Sequence, residues 1–147
     1  MMLTTLDSVE LANQLRPVLL QLNRHLRREL APLGITAGQA ALLHVIRTHP
    51  GVGVRALATH EGISTPAMSG YIDRLEAAGL VGRVRSEEDR RRVGLTVTES
   101  GMRALRSARS RRTAWLAHRL KRLTDAERAA VSAALEPLAL LLVEEEA

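Results

Sequence analysis

The reactive residues of this 147-residue sequence do not fall into the spacings that support catalysis or metal binding. The chain has no cysteine, which excludes disulfides, thiolate metal ligands and cysteine redox sensing. No two of the five histidines lie four residues apart, the spacing at which a helix pairs two metal ligands. It also contains no glycine-rich phosphate loop, nucleophile elbow or carboxylate–histidine grouping. We therefore expect no enzyme activity, no cofactor and no metal.

Two neighbouring stretches carry hydrogen-bonding and cationic side chains instead. In the first, small and hydroxyl-bearing residues follow Ser64, and such side chains can bond base edges or phosphates or touch a thymine methyl group. The second is rich in arginine, whose planar guanidinium suits a narrow, electronegative A·T-rich minor groove. The net charge of +5 and the pI of about 11.1 are compatible with this chemistry. The pattern indicates non-covalent recognition of double-stranded DNA.

Each residue of these stretches is given a predicted role. Arg91 is predicted to enter the minor groove and Asp89 to orient it, while phosphate contacts are predicted for four other arginines. The free backbone N–H groups at the start of the helix that follows Ser64 would bind a further phosphate. The predicted DNA-binding residues are Thr65, Ala67, Ser69, Gly70, Arg74, Arg83, Arg85, Asp89, Arg90 and Arg91.

The apolar spacing places these residues on a helix and a hairpin. A hydroxyl cap at Ser64 with Pro66 in the first turn predicts a helix that ends at Ala78, before a left-handed Gly79. Its core stripe is predicted as Met68, Ile72 and Leu75, and Tyr71 is also expected in the core rather than stacked on a base. Alternating Val and Leu predict strands over residues 80–85 and 92–97, joined by a long, flexible loop.

Other helices flank this pair on both sides. A long helix is predicted over residues 6–30, with a kink or a late start at Pro17. Capping boxes at Thr36 and Thr124 open two further helices, a short helix covers residues 55–60, and Thr98 caps a long one that ends near residue 122. The fold class is therefore mostly α with a small β-hairpin wing. Residues 35–98 form a winged helix-turn-helix DNA-binding lobe, and residues 1–34 and 99–147 form a helical dimerisation stalk.

Three segments together carry a family resemblance. Residues 75–83 (LEAAGLVGR), 88–91 (EDRR) and 95–101 (LTVTESG) resemble the signature of the multiple-antibiotic-resistance regulator (MarR) family, in which an acidic-Asp-x-Arg wing precedes Leu-Thr and a glycine. The Leu-Thr-Val-Thr spacing before the next helix departs slightly from that pattern. The resemblance implies a homodimer built from the first and last helices, acting on a palindromic operator. It also implies repression more often than activation, often relieved by a small-molecule ligand bound between stalk and lobe.

One alternative function stays open at this point. A winged helix can serve protein contacts, or sequester another regulator, without binding DNA specifically, in which case Arg91 and Thr65 would be dispensable. The apolar runs are too short to span a membrane, and the first ten residues lack the basic and apolar parts of a signal peptide. We therefore expect a soluble, cytoplasmic protein with no membrane partner.

Overall fold

The computed structural model describes residues 6–144, in which the predicted mostly helical fold with a β-hairpin wing is confirmed. A short 3₁₀ turn, Ala31–Leu33, follows the first helix. The chain divides into two compact units, Met1–Arg112 and Thr113–Ala147, and the boundary lies inside the fifth helix. The elements are α1 (Ser8–Arg28), α2 (Ala37–Thr48), α3 (Val54–Glu61), α4 (Thr65–Ala77), β1 (Val81–Arg85), β2 (Val93–Val97), α5 (Glu99–Leu120) and α6 (Asp125–Leu140).

The predicted helix caps are formed by the residues that the sequence indicated. The Thr36 hydroxyl accepts the Gln39 N–H, and the Gln39 side chain accepts the Thr36 N–H, both at 3.0 Å. Ser64 accepts the Ala67 N–H at 3.2 Å, and Gly79 follows α4 with φ of 76°. These caps satisfy helix-terminal backbone groups that would otherwise lack partners, so they fix where each helix begins and ends.

Helix α1 runs without interruption past Pro17, so the predicted alternative of a late helix start is wrong. None of its residues is buried. Its C-terminal end is held to α5 by Arg111, which donates to the Glu29 carbonyl at 2.8 Å and pairs with the Glu29 carboxylate at 3.3 Å. The helix is therefore anchored at one end, while most of its apolar side chains remain uncovered.

No single helix among residues 6–144 is long and apolar enough to cross a membrane. The segments Ser8–Leu33 and Ala37–Thr48 reach that length and composition only together, and they are bent by 84°. Moreover, Leu42, Leu43 and Ile46 of α2 are buried in the core of the first unit, which accounts for the apolar character of that helix.

The core of the first unit is aliphatic and lies under α2, α3, α4 and the hairpin. Its fully buried large side chains are Leu30, Leu43, Ile46, Leu57, Met68, Ile72, Leu75 and Leu95. Gly101, in the first turn of α5, is also buried and lies against the Leu80 carbonyl and the Val97 side chain. The absence of phenylalanine from the sequence explains why leucine and isoleucine supply most of this volume.

The hairpin pairs β1 and β2 antiparallel, with Arg83 opposite Leu95 and Val84 opposite Gly94. A second contact, which the sequence did not predict, joins the α2–α3 connection to β2. The Gly51 N–H donates to the Leu95 carbonyl at 3.0 Å, and the Leu95 N–H donates to the Val52 carbonyl at 2.8 Å. These two backbone hydrogen bonds join the base of the wing to the α2–α3 connection of the helix-turn-helix.

The capping box at the start of α6 makes the stability of that helix depend on pH. The Glu127 carboxylate accepts the Thr124 N–H at 2.9 Å, and this bond, with a second contribution from the Thr124 side chain, lowers the pKa of Glu127. A lowered pKa stabilises the folded state above the unfolded pKa, and the effect is lost as pH falls through the folded pKa. We therefore expect Glu127→Gln to be less stable than wild type at about pH 7 and equally stable at about pH 3.

Urea denaturation at both pH values measures this difference. Glu136→Gln, in an exposed glutamate of the same helix outside the capping box, is the matched control. A Glu127→Gln deficit that persists unchanged at the lower pH would show that the carboxylate charge is not its cause.

Candidate nucleic-acid interface

Helix α4 presents one buried face and one solvent face, as its sequence predicts. Met68, Ile72 and Leu75 are buried, each with at most 1% of its surface exposed. The opposite face carries Pro66, Gly70, Asp73 and Ala77, at the i, i+4, i+7 and i+11 positions that a helix places in one row. Small residues at the N-terminal part of this row permit close approach to a flat surface or a groove.

Gly70 lies on this solvent face, and the other four predicted helix residues lie on its two flanks. Thr65 and Ser69 share a flank with Glu76, and Ala67 shares the other flank with Arg74. Thr65, Ala67 and Arg74 are exposed, whereas Ser69 and Gly70 are half-buried. The structure thus brings the five predicted α4 residues to the solvent side of one helix. The exposed Asp73 also lies on this solvent side of the helix.

The N-terminus of α4 offers fewer free backbone donors than predicted. Ser64 already accepts the Ala67 N–H, and Pro66 has no N–H to donate. Within residues 6–144 the Thr65 N–H therefore remains the donor of the first turn without an acceptor. A phosphate at this end would be bound by one backbone group and by the hydroxyl of Thr65, not by a cluster of N–H groups.

Tyr71 lies outside the core, so its predicted burial is wrong. Its surface is 48% exposed, and the Arg74 guanidinium lies 5.3 Å from the centroid of its ring. The reason is its position one residue before Ile72, at the edge of the apolar stripe, where the neighbouring helices do not cover it. Arg74 is therefore held over an aromatic face and pairs with neither Asp73 nor Glu76.

A groove of about 520 Å³ opens beside this edge of α4. It is lined mainly by apolar side chains, together with Tyr71 and two charged residues, Glu61 and Arg74. Its lining residues belong to the start of α2, to the α3–α4 turn and to α4, and they include Thr36, Gln39, Leu42, Ile63, Met68 and Leu75. All of them lie in the first unit.

The wing tip is a loop over residues 86–92, one residue longer than predicted because β2 begins at Val93, and Asp89 organises it. The Asp89 carboxylate accepts the Arg91 backbone N–H at 3.1 Å and lies 3.9 Å from the Arg92 guanidinium. The Ser86 N–H donates to the Arg92 carbonyl at 2.9 Å, which closes the loop. Asp89 therefore contacts Arg91, as predicted, but it fixes the backbone and not the guanidinium.

Three of the predicted wing arginines have free guanidinium groups. Among residues 6–144, Arg85, Arg90 and Arg91 make no ion pair and are exposed. Arg83 differs, since its Nε donates to Glu76 at 2.8 Å and one of its terminal nitrogens donates to Asp73 at 2.9 Å. In this structure, two carboxylates of α4 therefore occupy the guanidinium that was predicted to bind a phosphate.

No set of three or more histidine, aspartate or glutamate side chains within residues 6–144 is arranged to hold a metal ion. No polar side-chain atom in the same part of the chain is buried without a hydrogen-bond partner. The concentration of exposed guanidinium groups on the wing, next to the solvent face of α4, is thus the main chemical feature of this surface.

Comparison with known proteins identifies the same region. A family model described as the MarR family matches residues 35–93, which contain α2, α3, α4, β1, the wing loop and the first residue of β2. The HTH-type transcriptional regulator Mb0904 of Mycobacterium bovis is 33% identical over 95% of this chain and 98% of its own length. The HTH-type transcriptional repressor Mb2911 of the same species is 31% identical over 74% of this chain and 78% of its own.

Solved structures show the same fold. A transcriptional regulator protein from Pseudomonas aeruginosa superposes with a TM-score of 0.83 at 29% identity, covering 97% of this chain and 100% of that one. A variant of MepR from Staphylococcus aureus, solved bound to an oligodeoxyribonucleotide, gives a TM-score of 0.71 at 21% identity over 90% of this chain and 97% of that one. The similarity to the Mycobacterium regulator extends over nearly the whole of both sequences, and the family model covers the helix-turn-helix and most of the wing. The chain therefore belongs to the MarR family of winged-helix transcriptional regulators.

Proposed function

We propose that this regulator binds a palindromic DNA operator as a homodimer in the cytoplasm and represses transcription from it. The observation that carries the proposal is the pairing of two features on one surface of the first unit. Helix α4 offers a small, polar solvent face, and the wing beside it offers three guanidinium groups that make no ion pair within the described residues. An α-helix fits the major groove, and a wing arginine suits the adjacent minor groove.

The proposed homodimer is supported by apolar side chains that remain uncovered in each unit. Neither α1, in the first unit, nor α6, in the second, buries a single described residue. Contiguous apolar faces of this kind mark interaction sites, and a two-fold pairing of identical chains is the commonest way to cover them. The exposed residues include Val9, Leu11, Val18, Leu19, Leu20 and Leu22 on α1, and Val131, Leu135 and Leu140 on α6.

A dimer explains why the operator would be palindromic. Two identical lobes related by a two-fold axis read inverted half-sites, typically about 10–10.5 base pairs apart or a multiple of that distance. Repression is consistent with this arrangement, because a protein bound at a promoter prevents other proteins from reaching that DNA. The name of the relative Mb2911, a transcriptional repressor, supports the same direction of control.

The groove beside α4 supports the proposal that a small effector modulates binding. It has room for a small molecule, and its mainly apolar lining, with one cationic residue (Arg74) and one acidic residue (Glu61), suits a ligand that is partly apolar and partly polar. Tyr71, Arg74 and Leu75 line it and also belong to the proposed reading helix. An occupant would therefore contact the helix that reads DNA.

The alternative is that the winged helix serves protein contacts and does not bind DNA specifically. Substitution of Arg91 distinguishes this alternative from specific DNA binding. We expect Arg91→Ala to weaken binding to a specific duplex by about 10-fold, equivalent to about 1.4 kcal/mol, and to reduce the preference for A·T base pairs at its flanks. The physical reason is the loss of a guanidinium from a minor groove of high negative potential. Fluorescence anisotropy titrations with the duplex that the wild type enriches from a random library measure the effect.

The matched control is Arg122→Ala, which removes the same charge from the second unit. Because that position lies outside the proposed interface, its titration is expected to follow wild type. Equal affinities for the Arg91→Ala variant and the wild type, with the same flank preference, would instead favour the protein-contact function.

A further inference from the structure

Arg83 lies on the face of the hairpin that packs against the lobe. Side chains alternate along a strand, so Val81, Arg83 and Arg85 share one face of β1, and Leu95 lies directly opposite Arg83 on that face. Val81 and Leu95 are buried, which identifies this face as the inner one. Arg83 is thus at the margin of the core, whereas Arg85 is two residues nearer the wing tip.

The guanidinium of Arg83 spans two carboxylates on successive turns of α4. Its Nε lies 2.8 Å from Glu76 and its terminal nitrogen 2.9 Å from Asp73, so separate nitrogens serve the two partners. The side chains of Arg83, Asp73 and Glu76 are 36%, 68% and 45% exposed, and water therefore screens each pair. The contact gains importance from its geometry, since it connects the wing directly to the helix proposed to read DNA.

The two carboxylates also stand on or beside the solvent face of α4. Asp73 lies in the same row as Gly70, and Glu76 lies on the flank of Thr65 and Ser69. Negative charge at such positions would repel DNA phosphates unless a cation neutralised it. Arg83 neutralises part of that charge, which is a role distinct from binding a phosphate.

We propose that Arg83 is a positioning residue: it fixes the wing relative to α4 so that both can engage one DNA site, and it does not bind a phosphate itself. The inference rests on the proposed function, because it assigns a role within DNA recognition. It differs from the sequence-based prediction for Arg83. The proposal also explains why arginine and not lysine stands at this position. Lysine has a single side-chain nitrogen and cannot donate to both carboxylates with the same geometry.

Arg83→Lys tests the proposal because it retains the positive charge. Lysine binds phosphates well as a point charge, so a phosphate-binding role would survive the substitution. The readout is the ratio of Kd for a scrambled duplex to Kd for the enriched duplex, which uniform electrostatic changes do not alter. We expect Arg83→Lys to lower this ratio by about fivefold and leave the salt dependence of binding unchanged.

The double variant Asp73→Asn/Glu76→Gln tests the same contact from the helix side. It removes two negative charges and is expected to strengthen binding to both duplexes, yet the Kd ratio is expected to fall as it does for Arg83→Lys. The matched control is Arg47→Lys, at an exposed arginine of α2 that lies outside the proposed interface and makes no ion pair within residues 6–144. An unchanged ratio in both Arg83→Lys and the double variant would overturn the proposal.

A measurement without DNA separates this inference from the proposed function. We expect amide hydrogen exchange in β1 and β2 to be at least about threefold faster in Arg83→Lys and in the double variant than in wild type or Arg47→Lys. If the wild type shows no preference for any duplex, the proposed function fails while the exchange rates still test the coupling of wing to helix. Wild-type exchange rates in both variants would overturn the positioning role whatever the DNA titrations show.

Discussion

Leu135→Asp is expected to convert the protein to monomers and to abolish binding to the full operator. Leu135 is 61% exposed on α6, a helix with no buried residue among those described, and the proposed dimer would cover it. An unpaired charge buried in an interface costs about 3–5 kcal/mol, and two-fold symmetry introduces one such charge from each chain. The dissociation constant of the dimer is therefore expected to rise by at least about 100-fold.

Sedimentation equilibrium and anisotropy titration together measure this change. Leu135→Met, which nearly conserves side-chain volume, is the matched control and is expected to remain dimeric. Loss of operator binding should accompany loss of the dimer, because a single lobe contacts only one half-site. A Leu135→Asp protein that stays dimeric at micromolar concentration would contradict a role for this face of α6 in dimerisation.

Gly101→Ala is the second substitution expected to have a large effect, and it acts on stability. A Cβ at position 101 would overlap the Leu80 carbonyl oxygen and would lie 2.6 Å from the Val97 side chain. The helix gains about 1 kcal/mol from replacing glycine, but the overlap with rigid backbone forces α5 away from the wing. We expect a net loss of about 2 kcal/mol, and thus a fall in Tm of about 4–8 °C.

Thermal unfolding followed by circular dichroism checks this expectation. Ser100→Ala alters the neighbouring exposed residue and removes only a solvent-exposed hydrogen bond from Arg103, so it is expected to unfold within about 1–2 °C of wild type. A Gly101→Ala protein as stable as the wild type would mean that α5 can shift away from Leu80 without cost. The same contact gives a physical reason for the glycine in the LTVTESG segment.

The helix boundaries could be predicted because their causes are local in sequence. The caps at Thr36, Ser64 and Thr124 depend on hydrogen bonds between residues three apart, which the residue types alone indicate. Gly79 is similar, because a left-handed residue after a helix favours glycine. These signals predict where α4 and the wing lie in the sequence, and those two elements carry most of the candidate interface.

The features that the sequence did not reveal depend on contacts between distant residues. Arg83 can pair with Asp73 and Glu76 only after β1 has packed against α4. The hydrogen bond between Gly51 and Leu95 likewise forms only in the folded lobe. Tyr71 was misplaced because periodicity gives the direction of a side chain but not how far the neighbouring helices extend to cover it. The DNA contacts themselves stay predictions, because they depend on a partner and on the spacing of two lobes.

Selection from a library of random duplexes by the purified protein tests whether it recognises a palindromic operator as a homodimer. The selection is made at about 150 mM salt, because that concentration suppresses binding through phosphate charge alone. We expect enrichment of an inverted repeat whose half-sites are spaced by about 10–10.5 base pairs or a multiple of that distance. Recovery of no sequence preference, or of a single half-site without its inverted copy, would contradict recognition of a palindromic operator by a homodimer.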